Sequence, residues 1–169
     1  MTTILETERL CLRKLVVADA EFIHGLMNDP DYLEYIGDKG VKTVADAERF
    51  LESVAIKSYE DNGFGHYVVS LKTDGTLIGT CGYVKRDELE DPDIGFAFLP
   101  EFRKHGYALE SATAILDFGI DVLGFKTLSA ITTQNNERSG RLLEKLGFSF
   151  DRLISMPNGD ELRLFTFST

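Results

Sequence analysis

Alternating apolar and polar residues along this chain predict a series of short strands, several of them bounded by turn residues. Lys72-Thr73-Asp74-Gly75 is typical of a tight hairpin turn between two of these strands. A second turn, Pro157–Asp160, separates the last two. The predicted strands are Arg9–Leu15, Gly65–Leu71, Leu77–Val84, Ile94–Leu99, Lys126–Thr133, Phe148–Ile154 and Glu161–Phe167.

Apolar residues spaced three and four apart predict helices between the strands. The first helix begins at Asp19 and ends at Asn28-Asp29-Pro30, and the aromatic-rich segment Asp31–Gly37 is predicted to be a linker. The second begins with Thr43 as N-cap. Two more cover Gly106–Leu123 and Asn136–Leu146. In the second helix the residues expected to face the core are Ala47, Phe50, Leu51, Val54 and Ala55.

The element order is therefore βααβββαβαββ, which predicts an α/β (α+β mixed) fold with a twisted mixed sheet of about seven strands and helices on both faces. The 169 residues suit one domain, 1–169, that is large enough to bury a core. The sequence has no internal repeat and no linker between domains.

Composition excludes several classes of function. A formal charge of −10 argues against nucleic-acid binding and favours a cationic partner, such as an amine or a basic protein terminus. The two cysteines and three histidines lack metal-ligand spacing, so we predict no metal site. No apolar run is long enough for a membrane span and the first residues do not resemble a signal peptide, so we expect no membrane partner and a cytoplasmic protein.

The segment Arg103-Lys104-His105-Gly106-Tyr107-Ala108 joins a predicted strand to a predicted helix. Amide groups of such a turn point at one place, where the positive end of the helix dipole favours an anion. Gly106 allows a positive φ or a close approach, and the small Ala108 leaves space. We therefore expect this backbone, from Arg103 to Ala108, to bind phosphate. The alternative is an ordinary turn, in which the side chains of Arg103 and Lys104 are simply solvated.

A second segment lies at a matching place. Asn136-x-x-Ser139, followed by Glu144-Lys145-Leu146-Gly147-Phe148, opens and ends the next helix. Together with Arg103-x-x-Gly106-x-Ala108, Thr7-Glu8-Arg9-Leu10-x-Leu12-Arg13 and Ile94-Gly95-Phe96, these motifs resemble the GNAT N-acetyltransferase superfamily, and within it the RimJ/RimL-like branch that acetylates N-termini of ribosomal proteins. The resemblance covers nearly the whole chain, with the motifs in the expected order.

The resemblance implies that acetyl-CoA binds between two strands that splay apart beside the phosphate turn. The main chain at Phe98 and Leu99 would pair with the pantetheine arm, while their side chains pack in the core. Asn136 would bind the same arm, or cap its helix, or do both. The residues Arg138, Arg141 and Lys145 share one helical face, which either meets the 3′-phosphate or is solvated.

The resemblance also supplies candidates for catalysis. Asp93 stands where the branch usually has an acidic residue, so it is the candidate base; the alternative is a solvated turn carboxylate. Many members of the family use a tyrosine as the acid, but that position is Leu143 here, which leaves Ser139 or no acid at all. Possible acceptor-site residues, for which core packing is the alternative, are Tyr32, Tyr35 and Tyr83.

These observations predict an acetyl-CoA-dependent N-acetyltransferase that works by direct transfer in a ternary complex, because neither Cys11 nor Cys81 lies in a nucleophile motif. The acceptor would be a protein N-terminal α-amine or a small amine. The alternative is a non-catalytic acyl-CoA-binding or regulatory module on the same fold. The sequence leaves open whether the protein is a monomer or a homodimer.

Overall fold

The computed structural model describes residues 2–169, whose eight strands form one sheet. The strands are β1 Thr3–Glu6, β2 Leu10–Lys14, β3 His66–Leu71, β4 Leu77–Val84, β5 Asp93–Phe98, β6 Thr127–Thr133, β7 Ser149–Ser155 and β8 Glu161–Ser168. Their order is β1-β2-β3-β4-β5-β6-β8-β7. Every neighbouring pair is antiparallel except β5 and β6, which are parallel and joined by a helical crossover.

Helices cover both faces of the sheet. They are α1 Ala20–Met27, α2 Pro30–Tyr35, α3 Val44–Phe50, α4 Lys57–Asn62, α5 Tyr107–Asp121 and α6 Glu137–Leu146. Adjacent residues of a strand point to opposite faces, and the pair Val68 and Val69 illustrates the arrangement. Val69 lies in the core beneath α5 and α6, whereas Val68 lies in a separate core with α1 and α3. No helix within residues 2–169 is long and apolar enough to cross a membrane.

The mixed sheet with helices on both faces confirms the predicted fold, but it has one strand more than expected. The extra strand is β1, which pairs with β2 at the edge of the sheet. Its four residues are exposed or half-buried and show no alternation. An edge strand this short leaves too little pattern to be recognised from the sequence.

The segment Asp31–Gly37 was predicted to be a linker, but most of it belongs to helix α2. Helix α1 ends directly before Asn28, as predicted, but Pro30 also occupies the first position of α2, where a missing amide hydrogen is tolerated. The Asp29 carboxylate caps the helix by accepting hydrogen bonds from the amides of Asp31 and Tyr32, at 3.2 and 3.3 Å. The same proline can end one helix and start another, and the sequence alone favoured the first reading.

Thr43 caps α3 as predicted, with its hydroxyl accepting a hydrogen bond from the amide of Asp46 at 3.0 Å. Leu51 and Ala55 are buried as expected. Val54, however, is 50% exposed. The chain between α3 and α4, Leu51–Ile56, is π-helical, and its wider turn moves Val54 out of the phase that an α-helix would give.

Tyr83 is a core residue and not the acceptor-site residue we expected. Its side chain has no exposed surface, and its hydroxyl donates a hydrogen bond of 2.7 Å to the carbonyl of Ile115 in α5. This bond satisfies the buried phenol and fixes α5 to the sheet. Core packing, the alternative given for Tyr83 in the sequence analysis, is what the structure shows.

Strands β5 and β6 meet at one place and then separate. Asp93 and Ser129 are their only register pair. The amide of Ser129 donates to the carbonyl of Pro92 at 3.0 Å, and the hydroxyl of Thr127 donates to the Asp91 carboxylate at 2.6 Å, so this end is closed. Towards the C-terminal ends of both strands they no longer pair. We call the wedge between them the β5–β6 gap; α5 and α6 begin at its open end.

Packing of α5 against Tyr83 gives a first prediction. Gly→Ala in a helix normally stabilises it by about 1 kcal/mol. A Cβ at Gly119, however, would lie 2.2 Å from the Tyr83 hydroxyl oxygen. We therefore expect Gly119→Ala to lower the free energy of unfolding by roughly 1–3 kcal/mol, measured with urea. Gly25→Ala is the control, because its Cβ would meet no atom within 4 Å; it should leave stability unchanged or raise it. Equal stabilisation by both substitutions would contradict this account.

Candidate active site

The turn that precedes α5 presents unpaired amide groups. Lys104 and Gly106 both adopt left-handed backbone conformations, with φ of +66° and +83°. Within residues 2–169, the amides from Lys104 to Ala108 donate to no acceptor. They lie at the N-terminus of the fifteen-residue helix α5, where the helix dipole is positive. The predicted anion site therefore has free donors and a favourable field.

Arg9, in the bend just before β2, holds this turn in place. Its guanidinium donates to the carbonyl of His105 at 3.0 Å and to the Glu110 carboxylate at 2.7 Å. It also lies 4.4 Å from the centre of the Tyr107 ring. A Cβ at Gly106 would come within 3.3 Å of the same guanidinium. Arg9 thus fixes the turn before α5 and places a guanidinium beside it.

The Arg103 side chain neither points towards an anion at the turn nor is free in solvent. It donates to Asp31 at 2.6 Å and to Asp29 at 2.8 Å, both at the start of α2. The same guanidinium donates twice to the carbonyl of Phe98, at 3.2 and 2.8 Å. The solvated side chain that one alternative in the sequence analysis predicted is therefore not what Arg103 has. Arg103 joins the end of β5 to α2.

The structure also shows which main-chain groups of Phe98 and Leu99 are already hydrogen-bonded. The carbonyl of Phe98 is occupied by Arg103, and the amide of Leu99 donates to the carbonyl of Ile78 at 3.0 Å. The Phe98 side chain is buried in the core, as expected. Because main-chain groups alternate in direction along a strand, Asp93, Gly95 and Ala97 bond to β4, and the groups that face the β5–β6 gap belong to Ile94, Phe96 and the amide of Phe98.

Three polar side chains with unused hydrogen-bonding capacity lie at the β6 side of the open end. The Asn136 carbonyl oxygen caps α6 by accepting from the amide of Ser139 at 3.2 Å, while its amide nitrogen has no partner within residues 2–169. The Ser139 hydroxyl likewise bonds to none of these residues. Thr133 was not foreseen: its hydroxyl oxygen is buried without any partner. A buried polar atom of this kind is satisfied by a ligand or by an ordered water.

Asp93 lies at the closed end of the gap and is deeply buried, with 4% of its side chain exposed. The Nε of Arg86 donates to its Oδ1 at 3.1 Å. Burial raises the pKa of Asp93 to about 6, although the charge and hydrogen bond of Arg86 oppose the shift. The alternative of a solvated turn carboxylate is therefore excluded. Asp93 is a carboxylate above about pH 6 and a neutral acid below it.

His66 is a further titratable group on the same face of the sheet. Its ring passes over Gly95, where a Cβ would lie 3.2 Å from Nε2, so the glycine makes room for the imidazole. Burial, followed by the positive charges of Arg86 and Lys39, lowers the pKa of His66 to about 4. The ring is therefore neutral at pH 7, and neither nitrogen bonds to a residue from 2 to 169.

Helix α2 brings one predicted tyrosine to this cluster. Burial raises the pKa of Tyr32 to about 12, with the charge of Arg86 acting in the opposite direction, so the phenol stays protonated. Tyr35 is half-buried and forms no hydrogen bond within the described chain. Sequence reasoning missed His66, Lys39 and Arg86, because they come from three distant segments with no shared spacing.

The two ends of the gap differ in chemistry. The open end has free amides and positive charge for an anionic group, and the closed end has a buried carboxylate with a raised pKa. The six residues of β5 between them span about 17 Å. Arg138, Arg141 and Lys145 on α6 are exposed, and Arg141 pairs only with Glu137 at 3.7 Å. Among residues 2–169 no group of His, Cys, Asp and Glu side chains is arranged to bind a metal.

Comparison with known proteins identifies the class. Residues 9–149 match the family model described as "Acetyltransferase (GNAT) domain". The chain therefore belongs to the GNAT acetyltransferase family, and the predicted resemblance is confirmed. The "Uncharacterized N-acetyltransferase YoaA" of Bacillus subtilis is 30% identical over 155 residues, which are 91% of this chain and 87% of that protein. Relatives such as this one identify the protein as an N-acetyltransferase.

Solved structures agree on the fold. The ribosomal-protein-S5-alanine acetyltransferase of Vibrio fischeri has a TM-score of 0.80 and 18% identity, covering 99% of this chain and 97% of its own. Spermidine N-acetyltransferase of Vibrio cholerae, in complex with CoA and spermine, has a TM-score of 0.79 and 20% identity, covering 96% of each chain. The RimJ/RimL-like branch and the cytoplasmic location stay predictions.

The ion pairs of Arg103 lead to a second prediction. Arg103→Ala leaves the carboxylate of Asp29, 8% exposed, without its cation. We expect the free energy of unfolding to fall by about 2 kcal/mol, less than for a fully buried pair because Arg103 is partly exposed. The control is Arg141→Ala, which removes an exposed pair and should change stability by less than about 0.5 kcal/mol. Similar small effects in both variants, measured by urea unfolding, would show that Arg103 does not secure α2.

Proposed function

We propose that this protein transfers the acetyl group of acetyl-CoA to a primary amine, either a protein N-terminal α-amine or a small amine, with both substrates bound together. The observation that carries the proposal is the β5–β6 gap, with free amides at its open end and Asp93 at its closed end. Family membership supports it, as do relatives that act on amines. Among these is the "Spermidine N(1)-acetyltransferase" of Escherichia coli, 25% identical over 141 residues.

The residues of the gap fit acetyl-CoA. The amides from Lys104 to Ala108, with Arg9 close by, would hold the pyrophosphate. The free amide nitrogen of Asn136 and the unpartnered hydroxyl of Thr133 would bind the pantetheine arm. When bound, acetyl-CoA supplies a thioester carbonyl that an amine can attack. Holding the two reactants together at this carbonyl would provide most of the acceleration.

Asp93 is the group suited to take the proton of the amine. An α-amino group with a pKa of about 7.7–8.0 gives up only about 1–1.4 kcal/mol to be neutral at pH 7, whereas a lysine amine gives up about 4–5 kcal/mol. A carboxylate with a pKa of about 6 is ionised at pH 7 and is a stronger base than an ordinary aspartate. As the nitrogen forms its bond to the carbonyl carbon, its proton passes to Asp93.

Ser139 is the candidate acid for the departing sulfur. The carbon–sulfur bond breaks with its electron pair on sulfur, and a thiol of pKa about 8.5 leaves readily as a thiolate. A hydroxyl that donates to this sulfur therefore helps only modestly. Leu143 is buried, so the tyrosine used by many relatives has no counterpart there. Burial also raises the pKa of Cys81 to about 12, which makes an acetylated cysteine intermediate unfavourable.

Acetyl-CoA binding gives a third prediction. Gly106→Ala forces a side chain into a φ of +83° and against Arg9, so the turn and its amides must move. We expect the Kd for acetyl-CoA, measured by calorimetry, to rise at least about tenfold, or about 1.4 kcal/mol. Gly124→Ala introduces the same kind of strain, at φ +77°, in open space beyond α5. It should leave the Kd unchanged.

If both variants bind acetyl-CoA as tightly as the parent, the phosphate assignment is wrong. Catalysis itself is tested by the release of CoA thiol from acetyl-CoA in the presence of amines and peptides. A protein that binds acetyl-CoA tightly and yet releases no thiol with any of them would be the non-catalytic acyl-CoA-binding module.

The pKa of Asp93 gives a fourth prediction, on pH dependence. Below about pH 6 the parent enzyme has a protonated Asp93, and well above pH 8 the acceptor amine is already neutral. Asp93→Asn should therefore reduce the rate most between about pH 6 and 8, by about tenfold or more, and approach the parent at both extremes. Asp87→Asn, on the same loop but exposed, should follow the parent throughout. If the ratio of the Asp93→Asn rate to the parent rate is constant across the pH range, Asp93 is not the base.

A further inference from the structure

The charge around Asp93 is opposite in sign to the charge of the whole protein. The chain has a formal charge of −10, yet the groups beside Asp93 are the cations Arg86 and Lys39 together with a neutral His66. With Asp93 ionised, this cluster has a net charge of +1. A substrate meets this local field, so the acidic composition does not describe what the acceptor side of the site prefers.

Arg86 has donors to spare. Its Nε is bonded to Asp93, but its Nη1 and Nη2 donate to no residue from 2 to 169, and 29% of its side chain is exposed. Both Nη atoms are accessible from solvent. Within residues 2–169 the Thr133 hydroxyl is the only buried side-chain atom that has no hydrogen-bond partner, so an unpartnered Nη atom is not a buried one. A guanidinium with two open Nη donors matches the two oxygens of a carboxylate.

We propose that the acceptor is a zwitterion of the free amino acid class, whose carboxylate binds Arg86 and Lys39 while its adjacent amine faces Asp93. This inference rests on the proposed function and restricts the primary amine of that function to one class of small molecule. The substrate and the Asp93–Arg86 ion pair are complementary: each of the two charges of the pair receives a partner of opposite sign from one small molecule. Tyr32 and His66 line the same place and add neutral polar groups.

Other amines suit this cluster less well. A polyamine brings a second cation, which the positive charges of Arg86 and Lys39 repel. A peptide N-terminus brings one amine but no adjacent carboxylate, because that group is an amide. Among these acceptors, only the amino acid has an amine and a carboxylate on one carbon, which match the opposite charges of Asp93 and Arg86.

The experiment compares the twenty free L-amino acids with their carboxamides, spermidine and a short peptide, using the release of CoA thiol by the full-length protein. For the best amino acid we expect kcat/KM at least about tenfold above that of its carboxamide, which lacks the carboxylate charge although its less basic amine is the more readily deprotonated. Arg86→Gln should abolish this ratio by raising the KM for the amino acid. Lys85→Gln, at an exposed neighbouring position, should preserve it.

Measuring amino acid binding directly distinguishes failure of this inference from failure of the proposed function. Titration of the best amino acid into the protein saturated with CoA should give a measurable Kd that Arg86→Gln weakens at least about tenfold. If carboxamides, spermidine or peptides are acetylated and amino acids are not, this inference is overturned and the proposed function stands. If no acceptor of any class releases thiol and no amino acid binds, both fall.

Discussion

The site depends on two parallel strands that hydrogen-bond at one register pair and then diverge. At Asp93 and Ser129 the sheet is continuous; beyond that pair the facing main chain of β5 and β6 has no partner. Unpaired main chain inside a sheet is unfavourable unless something occupies the space. The same divergence places the N-termini of α5 and α6 at the open end, with the unsatisfied Thr133 hydroxyl nearby. The fold thus leaves room for an extended ligand by omitting hydrogen bonds.

Charge in this protein has to be considered at two scales. Over the whole surface acidic groups dominate, which keeps the protein soluble and determines little about the site. Within the site, the burial of Asp93 raises its pKa, and the cations around it hold it ionised at neutral pH. These effects oppose each other, and the result is a base of intermediate strength. The composition favoured a cationic acceptor, whereas the cluster around Arg86 argues for an acceptor that carries a carboxylate as well as an amine.

Local chemistry is what the sequence predicted well. The positive φ of Gly106, the cap at Thr43 and the alternation along the long strands each depend on a few adjacent residues, so they were readable. For the side chains of Arg103 and Tyr83 the sequence left alternatives open, because their roles depend on residues far away in the chain: Asp29 and Asp31 for the arginine, Ile115 for the tyrosine. The sequence shows a tyrosine or an arginine in the same way whether its side chain lies in a core, in an ion pair or in a binding site. Only the fold decides between these outcomes.

Arg103 connects the two halves of the site. Its backbone enters the phosphate turn, and its guanidinium holds both the carbonyl that ends β5 and the two aspartates that begin α2. Helix α2 carries Tyr32, which lies beside Arg86 on the acceptor side. A short helix of six residues has little stability of its own, so its position is determined by what binds its first turn. The residue that begins the phosphate motif therefore also fixes the helix that carries Tyr32, so one guanidinium holds together the elements to which the proposed function assigns the two substrates.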